Sequence, residues 1–214
     1  MRKLAVLFPG IGYTPDRPLL HFTRRIAADL CYEIRPLPYT GFPSNVRGDR
    51  EKMIACFELA LTQAKEMLSD VDWAVYDDIL FIGKSVGTIV AAALAAQNAA
   101  RPRIRQVIYT PLEDTFSFPI RDGIVFTGSE DPWVGGSASR IPALCRERGL
   151  PCSVIPGGNH SLETSNWADD LAQLRDVLQK TEQYIRRECD RLSCFSRGTL
   201  FPAKATDSER NAVP

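Results

Sequence analysis

The stretch that most restricts the fold is 79–96, where an apolar run passes through a serine flanked by glycines into an alanine-rich run. The first part, 79–82, has the length and composition of a buried strand, and 88–96 has those of a helix. Between them lies the sequence Gly-Lys-Ser-Val-Gly, centred on Ser85. A strand that turns directly into a helix is the unit from which α/β folds are built. The chain is therefore predicted to be an α/β protein.

The same alternation of strand and helix patterns extends along most of the chain. Short apolar runs, most of them ending at glycine or proline, predict strands at 3–8, 32–38, 79–82, 107–110, 123–127 and 151–155. Helical spacing of apolar residues fits 18–30, 50–68, 139–148 and 166–187. We therefore expect a mostly parallel central sheet of about six strands with helices on both faces. We expect it to form a single domain over 1–192, followed by a polar, flexible tail over 193–214.

Charge and cysteine usage exclude several classes of function. The 26 basic and 26 acidic residues cancel, so the net charge indicates neither a nucleic-acid partner nor a membrane partner. No apolar run is long enough to span a membrane, and the apolar core of the first residues is too short for a signal peptide. The six cysteines lack metal-ligand spacing, which indicates reduced thiols in a cytoplasmic protein without a bound metal.

Two chemistries begin with a strand, a glycine turn and a helix, and the sequence separates them. A phosphate-binding loop requires G-x-x-x-x-G-K-[ST], but Asp78 occupies the first glycine position and an apolar strand replaces the flexible cradle. The pattern Gly-x-Ser-x-Gly instead fits a nucleophile elbow, in which the serine lies at the tip of a sharp turn. The backbone N–H of Val86, at the start of the following helix, is then placed to stabilise an oxyanion.

A serine nucleophile needs a base and a group that orients the base, and the sequence offers candidates for both. Of the two histidines, His21 lies in a predicted helix, whereas His160 follows the last predicted strand in a glycine-rich loop. Asp131 also follows a strand, and the chain order Ser, Asp, His is that of elbow-type hydrolases. Glu113 and Asp114 remain alternative acids, because they follow the strand after the elbow helix.

These motifs together resemble those of a small α/β-hydrolase without a lid domain. The segment 83–87 resembles the nucleophile elbow, 128–134 the acid loop, 158–160 the histidine loop, and 8–12 the oxyanion segment. The resemblance implies a Ser85–His160–Asp131 triad and an oxyanion hole formed by the N–H groups of Val86 and Ile11. It also implies that neither a metal nor an organic cofactor is needed.

The chain departs from the family pattern at Pro9, which replaces a histidine, and at Lys84, beside the nucleophile. Lys84 is expected either to attract an anionic substrate or, if buried, to need a partner such as Asp78 or Glu113. Tyr13, Leu112 and Trp133 are the candidate substrate-binding residues, lining an apolar, shallow site for a small acyl group.

The function predicted on these grounds is hydrolysis of a small ester or related acyl compound through an acyl-enzyme. A thioesterase, an amidase and a carbon–carbon bond hydrolase remain open. The alternative from another class is a binding or scaffold protein of the same fold that has lost its activity. A homodimer is compatible with the sequence, but nothing in the sequence supports one.

Overall fold

The computed structural model describes residues 1–98 and 104–197, with side chains described as far as Arg187. Six strands form one sheet: β1 (Lys3–Phe8), β2 (Glu33–Pro36), β3 (Asp78–Lys84), β4 (Ile104–Tyr109), β5 (Gly123–Gly128) and β6 (Cys152–Ile155). Their spatial order is β2-β1-β3-β4-β5-β6, and every neighbouring pair is parallel. The predicted six-stranded parallel sheet is therefore confirmed.

The order of the strands reverses between β1 and β3. The chain runs from β1 outward to β2, returns past β1 to β3, and continues through β4 and β5 to β6. In open α/β sheets, ligands bind at such a switch point, beyond the carboxyl ends of the strands. The segment after β1 and the serine after β3 both lie at this position.

In the described part of the chain, five α-helices cover the sheet: α1 (Pro18–Asp29), α2 (Arg50–Met67), α3 (Val86–Gln97), α4 (Ile141–Glu147) and α5 (Trp167–Arg197). Side chains alternate across the sheet, as the two-residue period of a strand requires. Ala5 and Leu7 of β1 pack with α1 and α5, whereas Leu4, Val6 and Phe8 pack with α2 and α3. Helices therefore lie on both faces, as predicted.

Two element boundaries differ clearly from the predicted ones. β4 begins at Ile104 rather than at 107, because Arg105 and Gln106 are buried polar residues that hide the start of the strand in the sequence. α5 continues to Arg197, past the predicted end at 187. Residues 198–214, most of the predicted tail, lie outside the described residues, so the flexible tail stays a prediction.

Between β4 and β5 the chain forms only a short 3-10 turn over Glu113–Ser117. Within residues 1–98 and 104–197 there is no lid domain, which agrees with the expected fold. The carboxyl edge of the sheet is covered there only by the loops that leave the strands.

Candidate active site

The turn that carries Ser85 is strained, and two glycines make it possible. Ser85 has φ 56° and ψ −127°, between the last residue of β3 and the first of α3. A Cβ at Gly83 would lie 2.9 Å from the Cα of Thr88, and one at Gly87 would overlap the carbonyl oxygen of Phe8. Because neither position has a side chain, α3 can approach the end of β3 at Gly83 and the end of β1 at Gly87, which the elbow requires.

The segment after β1 packs directly against the serine. Gly10 and Tyr13 exchange two backbone hydrogen bonds of 3.2 Å, which close a tight turn with Ile11 at its corner. A Cβ on Gly10 would lie 3.0 Å from the Cβ of Ser85. Among the backbone bonds of the described turns and caps, none uses the N–H of Ile11 or of Val86. The predicted oxyanion donors, one next to Gly10 and the other next to Ser85, therefore have no such bond to a backbone carbonyl.

The structure brings Ser85, His160 and Asp131 together. The Nε2 atom of His160 lies 2.7 Å from the Oγ of Ser85, and its Nδ1 lies 2.7 Å from the Oδ2 of Asp131. Because an ionised carboxylate can only accept, Nδ1–H donates to Asp131 and Nε2 is left to accept the hydroxyl proton. The arrangement has the connectivity that activates a serine hydroxyl.

Neither alternative acid contacts His160. The carboxylate of Glu113 lies 3.4 Å from Arg140, and Asp114 lines a separate cavity beside Phe118. Asp131 is fully buried, and its Oδ1 accepts a 2.9 Å bond from the backbone N–H of Trp133. That bond holds the carboxylate with its other oxygen directed at the imidazole.

Backbone contacts hold the acid and histidine loops against each other. A Cβ on Gly128, at the end of β5, would overlap the carbonyl oxygen of Gly158, and the N–H of Glu130 donates to that same oxygen at 2.9 Å. The Oδ1 of Asn159 accepts a 2.7 Å bond from the N–H of Ser161, which fixes the turn on either side of His160. The distance between the acid and the base is thus set by the backbone.

The surroundings of His160 favour its neutral form. Burial lowers the pKa of the imidazole, its bond with Asp131 raises it, and the positive charge of Lys84 lowers it, with a net shift downward. The Trp133 ring stacks on the imidazole at 5.1 Å and 25° and covers one of its faces. A neutral imidazole is the form that can accept a proton from the serine.

Lys84 is buried, and no counterion lies within ion-pair distance of it among the described residues. It is 3% exposed, and its Nζ lies 4.8 Å from the centre of the Tyr13 ring in a cation–π contact. Burial lowers its pKa to about 7, although the charges of Asp131 and Glu163 act in the opposite direction. Within the described residues, no hydrogen bond or ion pair of Lys84 is found.

Neither suggested partner of Lys84 is close to it. Asp78 instead binds Arg105 at 2.7 Å, and Glu113 lies beside Arg140. The explanation that Asp78 or Glu113 compensates the charge of Lys84 is therefore wrong.

A cleft of about 490 Å³ adjoins the site, lined by Ile11, the segment 43–47 and Trp133. Of the three predicted substrate-binding residues, Trp133 borders this cleft. Tyr13 lies on the far side of the oxyanion turn, against Lys84, and Leu112 is buried in the core beside α3. The segment 43–47 was missed as a wall of the site. Its position after a strand end in a turn-rich loop was the available signal.

The described part of the chain offers no metal site, no disulfide and no membrane-spanning helix. No group of three or more histidine, cysteine or acidic side chains there could hold a metal ion. The described cysteines, Cys31, Cys56, Cys145 and Cys152, are all free thiols. No described helix combines the length and hydrophobicity needed to cross a bilayer.

Neither a family model nor a curated protein matches the chain by sequence. Solved structures do match it. A serine hydrolase without a lid from Xanthomonas campestris superposes with a TM-score of 0.55 at 15% identity, covering 86% of this chain and 81% of that one. An α/β serine hydrolase homologue from Coxiella burnetii gives 0.56 at 18% identity, with 83% of each chain covered.

The protein Est1E from Butyrivibrio proteoclasticus, solved with ferulic acid bound, gives a TM-score of 0.63 at 10% identity. The match covers 88% of this chain and 90% of that one. Identities this low establish the fold and leave the activity to be argued from the site. Taken with the parallel sheet and the elbow at its switch point, these matches show that the chain has the α/β-hydrolase fold of the lidless type.

Proposed function

We propose that this protein is a serine hydrolase that cleaves a small ester or related acyl compound through an acyl-enzyme. The observation that carries the proposal is the pair of 2.7 Å contacts that link Ser85 to His160 and His160 to Asp131. A serine, a histidine and a buried aspartate connected in this order are the parts that nucleophilic acyl transfer needs.

In the first half of the proposed reaction, the Oγ of Ser85 forms a bond to the acyl carbon while Nε2 of His160 takes the hydroxyl proton. The resulting imidazolium is stabilised by Asp131, which holds Nδ1–H. The bond from the acyl carbon to the leaving group then breaks, and His160 gives its proton to the departing atom. Ser85 is left as an ester of the acyl group.

In the second half, water attacks the acyl-enzyme while His160 again accepts a proton, and the acid product leaves as Ser85 regains its hydrogen. Negative charge on the carbonyl oxygen develops in both halves. The N–H groups of Ile11 and Val86 are the proposed donors to it, each worth roughly 3 kcal/mol in comparable sites. The positive end of α3 adds to this stabilisation, because Val86 is its first residue.

The test is activity on a para-nitrophenyl ester together with covalent labelling by a fluorophosphonate, which reacts only with an activated serine. We expect Ser85→Ala to lose labelling and at least about 10⁴-fold in kcat, because the remaining donors cannot replace the nucleophile. His160→Ala should lose both signals as well.

The second histidine supplies the matched control. His21 lies on α1 beside Phe22, 5.0 Å between ring centres, and takes no part in the proposed site. His21→Ala should keep labelling and turnover close to those of the unaltered protein. If the unaltered protein is not labelled, or Ser85→Ala keeps most of its activity, the proposal is wrong and the inactive binding protein becomes the better explanation.

The proposal extends to the kind of acyl bond and to the cellular compartment. Est1E, which was solved with ferulic acid bound, is compatible with an ester substrate. We propose the cytoplasm as the compartment, since four described cysteines are free thiols. The proposed partner is a small acyl molecule, and no nucleic acid, membrane or second copy is required by the reaction.

A further inference from the structure

A cavity at the carboxyl edge of the sheet adjoins both the proposed oxyanion turn and the histidine of the triad. It is the cleft of about 490 Å³ bordered by Ile11, a proposed oxyanion donor, and by Trp133, which stacks on His160. A carbonyl group held between the oxyanion turn and the imidazole would leave the rest of its molecule in this cleft. The remaining wall, the segment 43–47, would then contact the substrate.

The wall formed by the segment 43–47 carries a positive charge that is not balanced by an acidic residue of the cleft. Among the described residues that line the cleft, Arg47 is the only charged one, and no acidic side chain accompanies it. Arg47 has no ion pair or hydrogen bond with any described residue. The neighbouring cation on α2, Lys52, is by contrast paired with Asp49 at 3.3 Å. A guanidinium in a cleft without a counterion provides donors for an anion from outside the protein.

The backbone around Arg47 is held in place on both sides. Val46 is buried, and its carbonyl accepts a 3.0 Å bond from the N–H of Asp49. Asp49 in turn caps α2 by accepting from the N–H of Lys52 at 3.0 Å. Gly48 has φ 83°, a left-handed conformation that turns the chain into the helix. Arg47 therefore projects from an anchored turn, which lowers the cost of holding it against a ligand.

We propose that the substrate of this site carries a carboxylate or a comparable anionic group, and that Arg47 binds it and determines specificity. The inference rests on the proposed hydrolase function. A guanidinium binds a carboxylate through two parallel hydrogen bonds, which also fix the direction of the ligand. Bonds of this kind discriminate between a charged ligand and a neutral one by about ten- to a hundredfold.

The test compares kcat/KM for pairs of para-nitrophenyl esters that differ only in a terminal carboxylate. The glutaryl, adipyl and pimelyl monoesters are each compared with the neutral ester of the same chain length. A second arm moves the charge to the leaving group, with para-carboxyphenyl acetate and its carboxamide analogue. We expect the protein to prefer the charged member of at least one pair by about tenfold or more.

Arg47→Met removes the guanidinium and keeps an unbranched apolar stem, so it should abolish that preference mainly by lowering kcat/KM for the charged ester. Arg47→Lys should restore part of it. Arg50→Met is the matched control, because Arg50 is exposed nearby but lines the cavity beside Phe118 instead. This control should keep the full preference for the charged ester.

The outcomes separate this inference from the function on which it rests. If fluorophosphonate labels Ser85 but the protein shows no preference for any charged ester, the anionic-substrate inference is overturned and the hydrolase stands. A preference that survives in Arg47→Met overturns it equally. If Ser85 is not labelled and no ester is hydrolysed, both the function and the inference fall.

Discussion

At the scale of single residues, Lys84 is the position where local energetics and the site conflict. An ammonium that is 3% exposed and lacks a counterion is costly, because burial favours the uncharged amine. The fold retains this lysine beside its nucleophile, within reach of His160, whose pKa it lowers. Strained or unfavourable groups of this kind concentrate at functional sites, where stability is exchanged for reactivity.

This conflict predicts that Lys84→Met stabilises the protein, by an amount that depends on pH. The pKa of Lys84 is about 7 in the fold, but about 10.4 in an unfolded chain. Between these values the unfolded chain binds a proton that the folded protein does not, so native stability falls as the pH decreases from 10.4 to 7. Lys84→Met has no amine to titrate and so does not lose this stability. Its free energy of unfolding should exceed that of the unaltered protein by a few kcal/mol at pH 7, and by less at pH 10.

Urea unfolding of both proteins at the two pH values measures the difference. Lys65→Met, which removes an exposed lysine from α2, is the control, and its effect should not vary with pH. A destabilised Lys84→Met, or an equal gain at both pH values, would contradict the burial argument.

At the scale of elements, the site depends on pairs of loops whose backbones are in direct contact. A side chain at the point of contact would force the two loops apart. β5 and β6 end in loops that meet at Gly128 and Gly158, and their contact sets the distance from Asp131 to His160. The glycines of the elbow do the same for β3 and the oxyanion turn. The packed core fixes the positions of the strands, and these glycines let the loops that follow the strands come into contact. Proton transfer depends on that contact, because it tolerates little displacement of the reacting groups.

Gly128→Ala tests this dependence. The new Cβ would overlap the carbonyl oxygen of Gly158, so the two loops must separate, and we expect kcat to fall about a hundredfold or more. Gly149→Ala is the control. Gly149 ends the turn after α4 with φ 65° and open space around its Cβ position, so the substitution should cost only about 1 kcal/mol of stability. Steady-state kinetics measures kcat of both variants, and circular dichroism establishes that both are folded. If Gly128→Ala keeps its activity, the contact between the two loops is not needed for catalysis.

At the scale of the whole molecule, the sequence predicted the sheet, the helices on its faces and the residues that gather at the switch point. It could do so because apolar strands and Gly-x-Ser-x-Gly are local patterns, and parallel topology brings strand ends to one edge. What it missed depends on contacts between distant segments. The predicted strand excludes Arg105 and Gln106 because both are polar. Nothing in the neighbouring sequence shows that Asp78, on the adjacent strand, binds Arg105. The wall at 43–47 was missed for the same reason.

The Arg105–Asp78 pair joins the sheet to its longest helix, which gives the last prediction. Arg105, 2% exposed on β4, binds Asp78 of β3 at 2.7 Å and donates to the α5 carbonyl of Tyr184 at 3.3 Å. Arg105→Met would leave a buried carboxylate without its cation, so urea unfolding should show a loss of about 3–5 kcal/mol. Arg140→Met removes an exposed arginine 3.4 Å from Glu113 and should cost less than about 1 kcal/mol. Equal losses in the two variants would mean that the buried pair contributes no more than a surface contact, and that the apolar core alone holds α5 on the sheet.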